Sequence, residues 1–113
     1  GWINCEKFFE LIDIFIMPSI DEPFGLVTLE AMRSHKAIIS SKNYGSLKIL
    51  KNYKNCLFVN DCYNEDEYIQ SIKLLNNNHQ LINHMANNNL KKFKKNFTPK
   101  VAKQKFLNIL NNF

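Results

Sequence analysis

Three short, continuously apolar runs constrain the fold more than any other feature of this 113-residue chain. Residues 13–17 (Asp-Ile-Phe-Ile-Met), 37–40 (Ala-Ile-Ile-Ser) and 56–59 (Cys-Leu-Phe-Val) are rich in β-branched and aromatic side chains and bounded by turn residues such as Pro18. They are too short for helices and read as strands. A strand that is apolar on both of its faces has to be covered on both, which is the condition of a parallel sheet. Helical stretches fill the gaps: 6–12 behind an Asn4 cap, 25–35 with Leu26, Leu29, Ala31 and Met32 on one face, and a short turn of helix at 46–51. Strands and helices alternating at this spacing are βαβ units.

Beyond residue 64 the pattern turns helical. Tyr68, Ile69, Ile72 and Leu75 form an apolar stripe within 65–75, and Ile82, Met85, Ala86 and Leu90 form a second within 79–93. Thr98-Pro99 is a cap and first-turn signal that opens a last helix carrying Val101, Ala102, Phe106, Ile109 and Leu110. The Asn76–Asn78 and Asn87–Asn89 clusters read as punctuation between helices. The fold class is therefore α/β: a partial doubly wound, Rossmann-like parallel sheet of about three strands with a helical C-terminal tail. It forms one partial domain, with a βαβ half at 1–62 and helices at 63–113. A three-strand arrangement leaves 13–17 with an unpaired apolar edge, which leads to the expectation of further structure upstream.

Composition excludes several classes. An apolar fraction of 45% is that of a globular chain. No apolar run approaches the roughly 18 residues of a membrane span, and the chain starts Gly-Trp-Ile-Asn with no basic leader, so no signal peptide is visible. Cysteines at 5, 56 and 62 are odd in number and lack metal-ligand spacing, which points to a reduced, cytoplasmic setting with no metal; Cys56 reads as a small buried apolar residue. Of 15 cations all but Arg33 are lysine, and the accompanying 17 asparagines indicate an AT-rich coding bias, not a nucleic-acid-binding face. His35, His79 and His84 have no H-E-x-x-H spacing and read as ordinary surface or core residues. The run Lys91-Lys92-Phe93-Lys94-Lys95 reads as a solvated helix face, with contact to anionic lipid as the alternative.

Chemistry concentrates in 18–32, Pro-Ser-Ile-Asp-Glu-Pro-Phe-Gly-Leu-Val-Thr-Leu-Glu-Ala-Met. A strand ends at Pro18, a loop holds Glu22, and a helix starts near Gly25 with Glu30 inside it. This sets a helix N-terminus at the carboxyl end of a parallel strand, the place where α/β sheets bind ligands. Free backbone N–H groups of Phe24, Gly25, Leu26 and Val27, reinforced by the helix dipole, favour an anion such as a diphosphate. Gly25 permits close approach of a ligand to the backbone. Glu22 and Glu30, eight residues apart, can accept hydrogen bonds from sugar hydroxyls. Their spacing alone does not distinguish this from a hydrolase-type carboxylate pair.

The same residues resemble the E-x7-E motif of retaining GT-B glycosyltransferases, especially family-4 enzymes, written D-x-F-x-x-P-S-x-x-E-P-F-G-L-x-x-L-E-A-M. Asp13, Phe15, Pro18, Ser19, Glu22, Pro23, Phe24, Gly25, Leu26, Leu29, Glu30, Ala31 and Met32 all match it. Weaker matches follow at 37–40, at Gly45 and at Asn55-Cys-Leu-Phe-Val. The resemblance implies the second half of a GT-B C-terminal domain. It implies that Glu22 contacts the donor sugar as the catalytic residue, with backbone N–H groups of Phe24, Gly25 and Leu26 beside it. Glu30 would bind the ribose hydroxyls of the nucleotide. It also implies a nucleoside-diphosphate sugar donor, a glycan or lipid-linked acceptor in surface polysaccharide or lipopolysaccharide synthesis, retention of configuration, and no metal or other cofactor. The acceptor site and the cations that hold the diphosphate would come from segments outside these 113 residues, including an N-terminal domain. The chain alone would then be inactive, and the protein would sit in the cytoplasm or peripherally at the inner face of the membrane. Departures from the pattern are His35 for a Gly, Ala37 for a Pro, Tyr44 for a Gly, Lys48 for a Glu and Cys56 for a Gly. A non-catalytic remnant and a simple phosphate-ligand-binding α/β module are the competing readings.

Overall fold

The computed structural model describes residues 13–18, 26–96 and 99–111. Strand β1 (Ile14–Met17) leads to helix α1 (Leu26–Arg33), strand β2 (Ala37–Ser41), the short helix α2 (Tyr44–Ile49) and strand β3 (Cys56–Val59). Helices α3 (Glu65–Asn76), α4 (His79–Asn96) and α5 (Pro99–Asn111) complete the order. The strands form one parallel sheet in the order β1-β2-β3, in register from Ile14 beside Ala37 and from Ile38 beside Cys56. All three strands lie where the apolar runs place them. The helix expected at 6–12 lies outside the described residues.

Alternation along the strands divides the core in two. Ile38 and Cys56, with Phe15 and Phe58 at their sides, pack on Ala31 and Met32 of α1 and Ile49 of α2. Ala37, Ile39, Leu57 and Val59 face the other way, onto Leu75 of α3 and Met85 of α4. A sheet with helices on both faces explains why β2 is buried at every residue. Of the stripe in α3, only Leu75 is buried and Tyr68 half-buried; Ile69 and Ile72 are exposed.

Two local expectations are corrected. Helix α2 starts at Tyr44, two residues before the expected 46, because the Asn43 side chain caps it by accepting from the Ser46 N–H at 2.9 Å. The asparagines at 87–89 do not punctuate anything: they lie inside the 18-residue α4. Helix α4 contributes Met85 to one core and Phe93 to the other, so it crosses the sheet at the amino ends of β2 and β3. At the crossing, Asn89 is fully buried and donates to the carbonyls of Lys36 at 2.7 Å and Asn55 at 2.9 Å. Its Oδ1 accepts from Asn55 Nδ2 at 2.9 Å, while Asn55 Oδ1 accepts from the Lys51 N–H at 3.0 Å.

His35, where the motif it resembles has a glycine, ends α1 in the left-handed region with φ 63°. The His35 N–H bonds to Met32 O at 3.2 Å and the Lys36 N–H to Ala31 O at 3.2 Å, the paired bonds of a Schellman stop. A Cβ at that position costs about 1 kcal/mol relative to glycine. The ring Nε2 lies 2.6 Å from Asn87 Oδ1, tying the turn to α4.

Replacing Asn89 with Ala leaves two carbonyls and one amide unmatched in the core. At about 1–3 kcal/mol for each orphaned group, the substitution should lower stability by about 3 kcal/mol or more in urea unfolding. Asn83→Ala, on an exposed position of the same helix, should stay within about 0.5 kcal/mol. Burial also pushes the Cys56 thiol up to about 12, so it stays protonated and unreactive. Alkylation of the native chain at pH 8 should modify the half-buried Cys62 before the buried Cys56, and peptide mapping should find Cys56 labelled only after unfolding.

Candidate functional site

The carboxyl ends of the strands are fastened by short polar side chains. Met17 closes β1, and the buried Thr28 in the first turn of α1 donates from Oγ1 to Met17 Sδ at 3.4 Å. This seats the start of α1 over the end of β1. Ser41, the last residue of β2, donates from Oγ to Met17 O at 3.3 Å. Ser40 Oγ lies 2.8 Å from Ser41 O and 3.0 Å from Ser46 Oγ, and Asn43 Nδ2 donates to Ser41 O at 3.3 Å. The Lys42 N–H reaches Val59 O at 3.3 Å, joining the ends of β2 and β3. Small hydroxyls at strand ends let helix starts approach the sheet closely without orphaned polar groups. Among the described residues no buried side-chain polar atom lacks a partner.

Leu26 is the first residue of α1, and Glu30 lies one turn in, on the same helix. The Glu30 side chain is 40% exposed, and its Oε2 accepts from Arg33 Nη2 at 2.7 Å. A pair this exposed is worth at most about 1 kcal/mol, so a ligand can take the carboxylate from Arg33 at little cost. Glu22, Phe24 and Gly25 lie outside the described residues. Lys48, where the motif it resembles has a Glu, is exposed in the last turn of α2.

Sequence reasoning singled out Glu30 and missed both Arg33 as its partner and the Thr28–Met17 and Ser41–Met17 fastenings. The i, i+3 spacing of Glu30 and Arg33 was the available signal for the pair. Nothing in the sequence singles out Thr28, because its partner is a thioether 11 positions away. No three His, Cys, Asp or Glu side chains cluster as a metal site among the described residues. No described helix is long and apolar enough to cross a membrane.

Comparison with known proteins agrees with this geometry. The model of the family described as glycosyl transferases group 1 matches residues 2–92. An uncharacterized glycosyltransferase of Methanocaldococcus jannaschii is 34% identical over 62 residues, which are 52% of this chain and 16% of that protein. Among solved structures, Anabaena HepE in complex with UDP and glucose superposes with a TM-score of 0.84 at 19% identity, over 95% of this chain and 29% of HepE. The C-terminal domain of LpcC, a glycosyl transferase group 1 family protein of Francisella tularensis, gives 0.75 at 24% identity, over 82% of this chain and 47% of the other. The chain thus spans under a third of HepE and about a sixth of the archaeal protein. Its parallel three-stranded sheet with helices on both faces matches part of the C-terminal domain of GT-B glycosyltransferases, and the chain belongs to the glycosyl transferases group 1 family.

Proposed function

We propose that this chain supplies the donor-binding part of a retaining glycosyltransferase that uses a nucleoside-diphosphate sugar. The observation that carries the proposal is the placement of α1: it starts over the end of β1 and presents a half-exposed Glu30 one turn in, paired with the exposed Arg33. A helix start there favours a diphosphate through its free N–H groups and dipole. In this reading Glu30 accepts hydrogen bonds from the ribose hydroxyls, displacing Arg33. Glu22 accepts from the donor sugar's hydroxyls, with backbone N–H groups of Phe24, Gly25 and Leu26 beside it. The solved complex of HepE with UDP and glucose supports a uridine nucleotide as the first donor class to test.

Transfer with retention needs the acceptor hydroxyl held against the anomeric carbon while charge builds on the departing diphosphate. Glu22 serves as the catalytic residue by orienting the sugar and stabilising positive charge at the anomeric centre. The helix start at Leu26 receives the negative charge that develops on the leaving diphosphate. The acceptor is a glycan or a lipid-linked glycan of surface polysaccharide or lipopolysaccharide synthesis, reached from the cytoplasm. Acceptor binding and the cations that clamp the diphosphate are assigned to segments outside these residues, so the 113-residue chain should bind nucleotide and not turn over.

Titration of UDP against two variants of the full-length enzyme tests the assignment. Glu30→Ala should weaken UDP binding by about ten- to hundredfold, the worth of hydrogen bonds to a charged partner. Glu22→Ala should leave UDP affinity within about twofold and depress turnover with a UDP-sugar by orders of magnitude. Equal losses of UDP affinity in both variants would refute the division of roles. Clear product formation by the 113-residue chain alone would refute the placement of the acceptor site elsewhere.

A further inference from the structure

The far end of the sheet carries a second concave site, made of lysines. Lys51 and Lys54, in the turn that leads into β3, face Lys91, Lys92 and Lys95 of α4 across an open cavity of about 340 Å³. No carboxylate lines it, and none of the five ammonium groups has an acidic partner within 4 Å among the described residues. The acids of the neighbouring region are gathered elsewhere, at Glu65, Asp66 and Glu67 in the first turn of α3.

The walls are fixed. Asn88 Nδ2 donates to Lys54 O at 3.0 Å, the Lys54 N–H bonds to Lys51 O at 3.2 Å, and Lys92 Nζ donates to the carbonyl of Ile49. The cavity abuts the buried Asn55–Asn89 crossing, since Asn55 also lines it. Lys91 and Lys95 are one turn apart, where like charges repel by a few tenths of a kcal/mol. Burial, followed by the charges of Lys51 and Lys54, pushes Lys92 below the ordinary lysine range. An exchangeable anion would relieve all of these repulsions at once.

We propose that this cavity is a binding site for a compact, multiply charged phosphate anion of the polyphosphate class, separate from the donor site at the carboxyl ends of the strands. The chemistry it recognises is clustered phosphate, which can be free in solution or carried on a lipid headgroup. Concavity favours the free form: the lysines converge on a recess from two elements, whereas a bilayer requires cations that project from one face.

The test titrates inorganic tripolyphosphate into the 113-residue chain while amide shifts are followed by NMR. Saturable one-to-one binding should move the amides of 51–55 and 88–96, weaken with added salt, and persist in the presence of saturating UDP. The exposed triple variant Lys54→Gln/Lys91→Gln/Lys95→Gln should lose at least about tenfold in affinity, while its circular dichroism and its unfolding midpoint stay close to those of the parent. The matching Arg triple variant should retain binding. Absence of saturable binding, retention of affinity in the Gln variant, or displacement by UDP with shifts confined to 26–34 would each overturn the proposal. Sedimentation with phosphatidylglycerol vesicles in the absence of tripolyphosphate binding would overturn it in favour of a membrane surface.

Discussion

The crossing of α4 over the amino ends of β2 and β3 depends on one buried amide pair. A helix laid across strand ends covers carbonyls that no sheet bond satisfies, and each one left bare costs free energy comparable to a lost hydrogen bond. Asn89 meets the carbonyls of Lys36 and Asn55 with its two amide hydrogens and accepts from Asn55 with its oxygen. An apolar residue at 89 would satisfy none of these. With this pair in place α4 can close both cores, reaching Met85 on one side and Phe93 on the other.

The two ends of the sheet are built by different means. At the carboxyl ends, hydroxyls of Thr28, Ser40 and Ser41 are consumed by internal bonds, which brings α1 down on β1 and leaves Glu30 as the exposed charged group one turn in. At the amino ends, longer amides do the joining, and lysine stems surround the remaining space. The stop of α1 links the two. His35 holds the left-handed turn that frees the chain to enter β2, and its ring meets Asn87 of α4. The helix bearing Glu30 is thereby tethered at its start to β1 and at its end to α4.

The strands were legible because each is a short apolar run bounded by turn residues, a signal that depends on the residues alone, although only β2 is buried at every position and Ile16 of β1 is exposed. Helices α3 and α4 were legible through the spacing of their apolar residues and α5 through its Thr98-Pro99 start, whereas the Asn64 cap, which accepts from Asp66 and Glu67 at the start of α3, emerges only in the structure. Glu30 stood out through the long match from Asp13 to Met32. The Asn89 crossing did not, since Asn87-Asn88-Asn89 looks like low-complexity sequence until partners 34 and 53 residues away are known. Likewise the shift of α2 depends on which side chain wins the cap, and Asn43 outcompetes later positions because its oxygen reaches the Ser46 N–H. The lysine cavity was hidden for the same reason: Lys51 and Lys54 are distant in sequence from Lys91–Lys95 and meet only through the fold.

The reach of Asn89 also sets an order on folding. Its partners precede it by 34 and 53 positions, so the loop closures they require are long. Strands β1, β2 and β3 are all synthesised before Asn89, the residue that seals the amino ends of β2 and β3, exists. Until α4 emerges, Lys36 and Asn55 have no amide to meet, and Leu57 and Ile39 lack Met85, so that face of the sheet is covered only in part, by Leu75 of α3. Parallel, non-local pairing is slow in any case. On a ribosome the nascent sheet therefore waits, incompletely covered, through about thirty further residues of synthesis, a delay of several seconds at typical elongation rates. The interval in which this chain is exposed to misassociation is fixed by the distance between a strand and the helix that locks it.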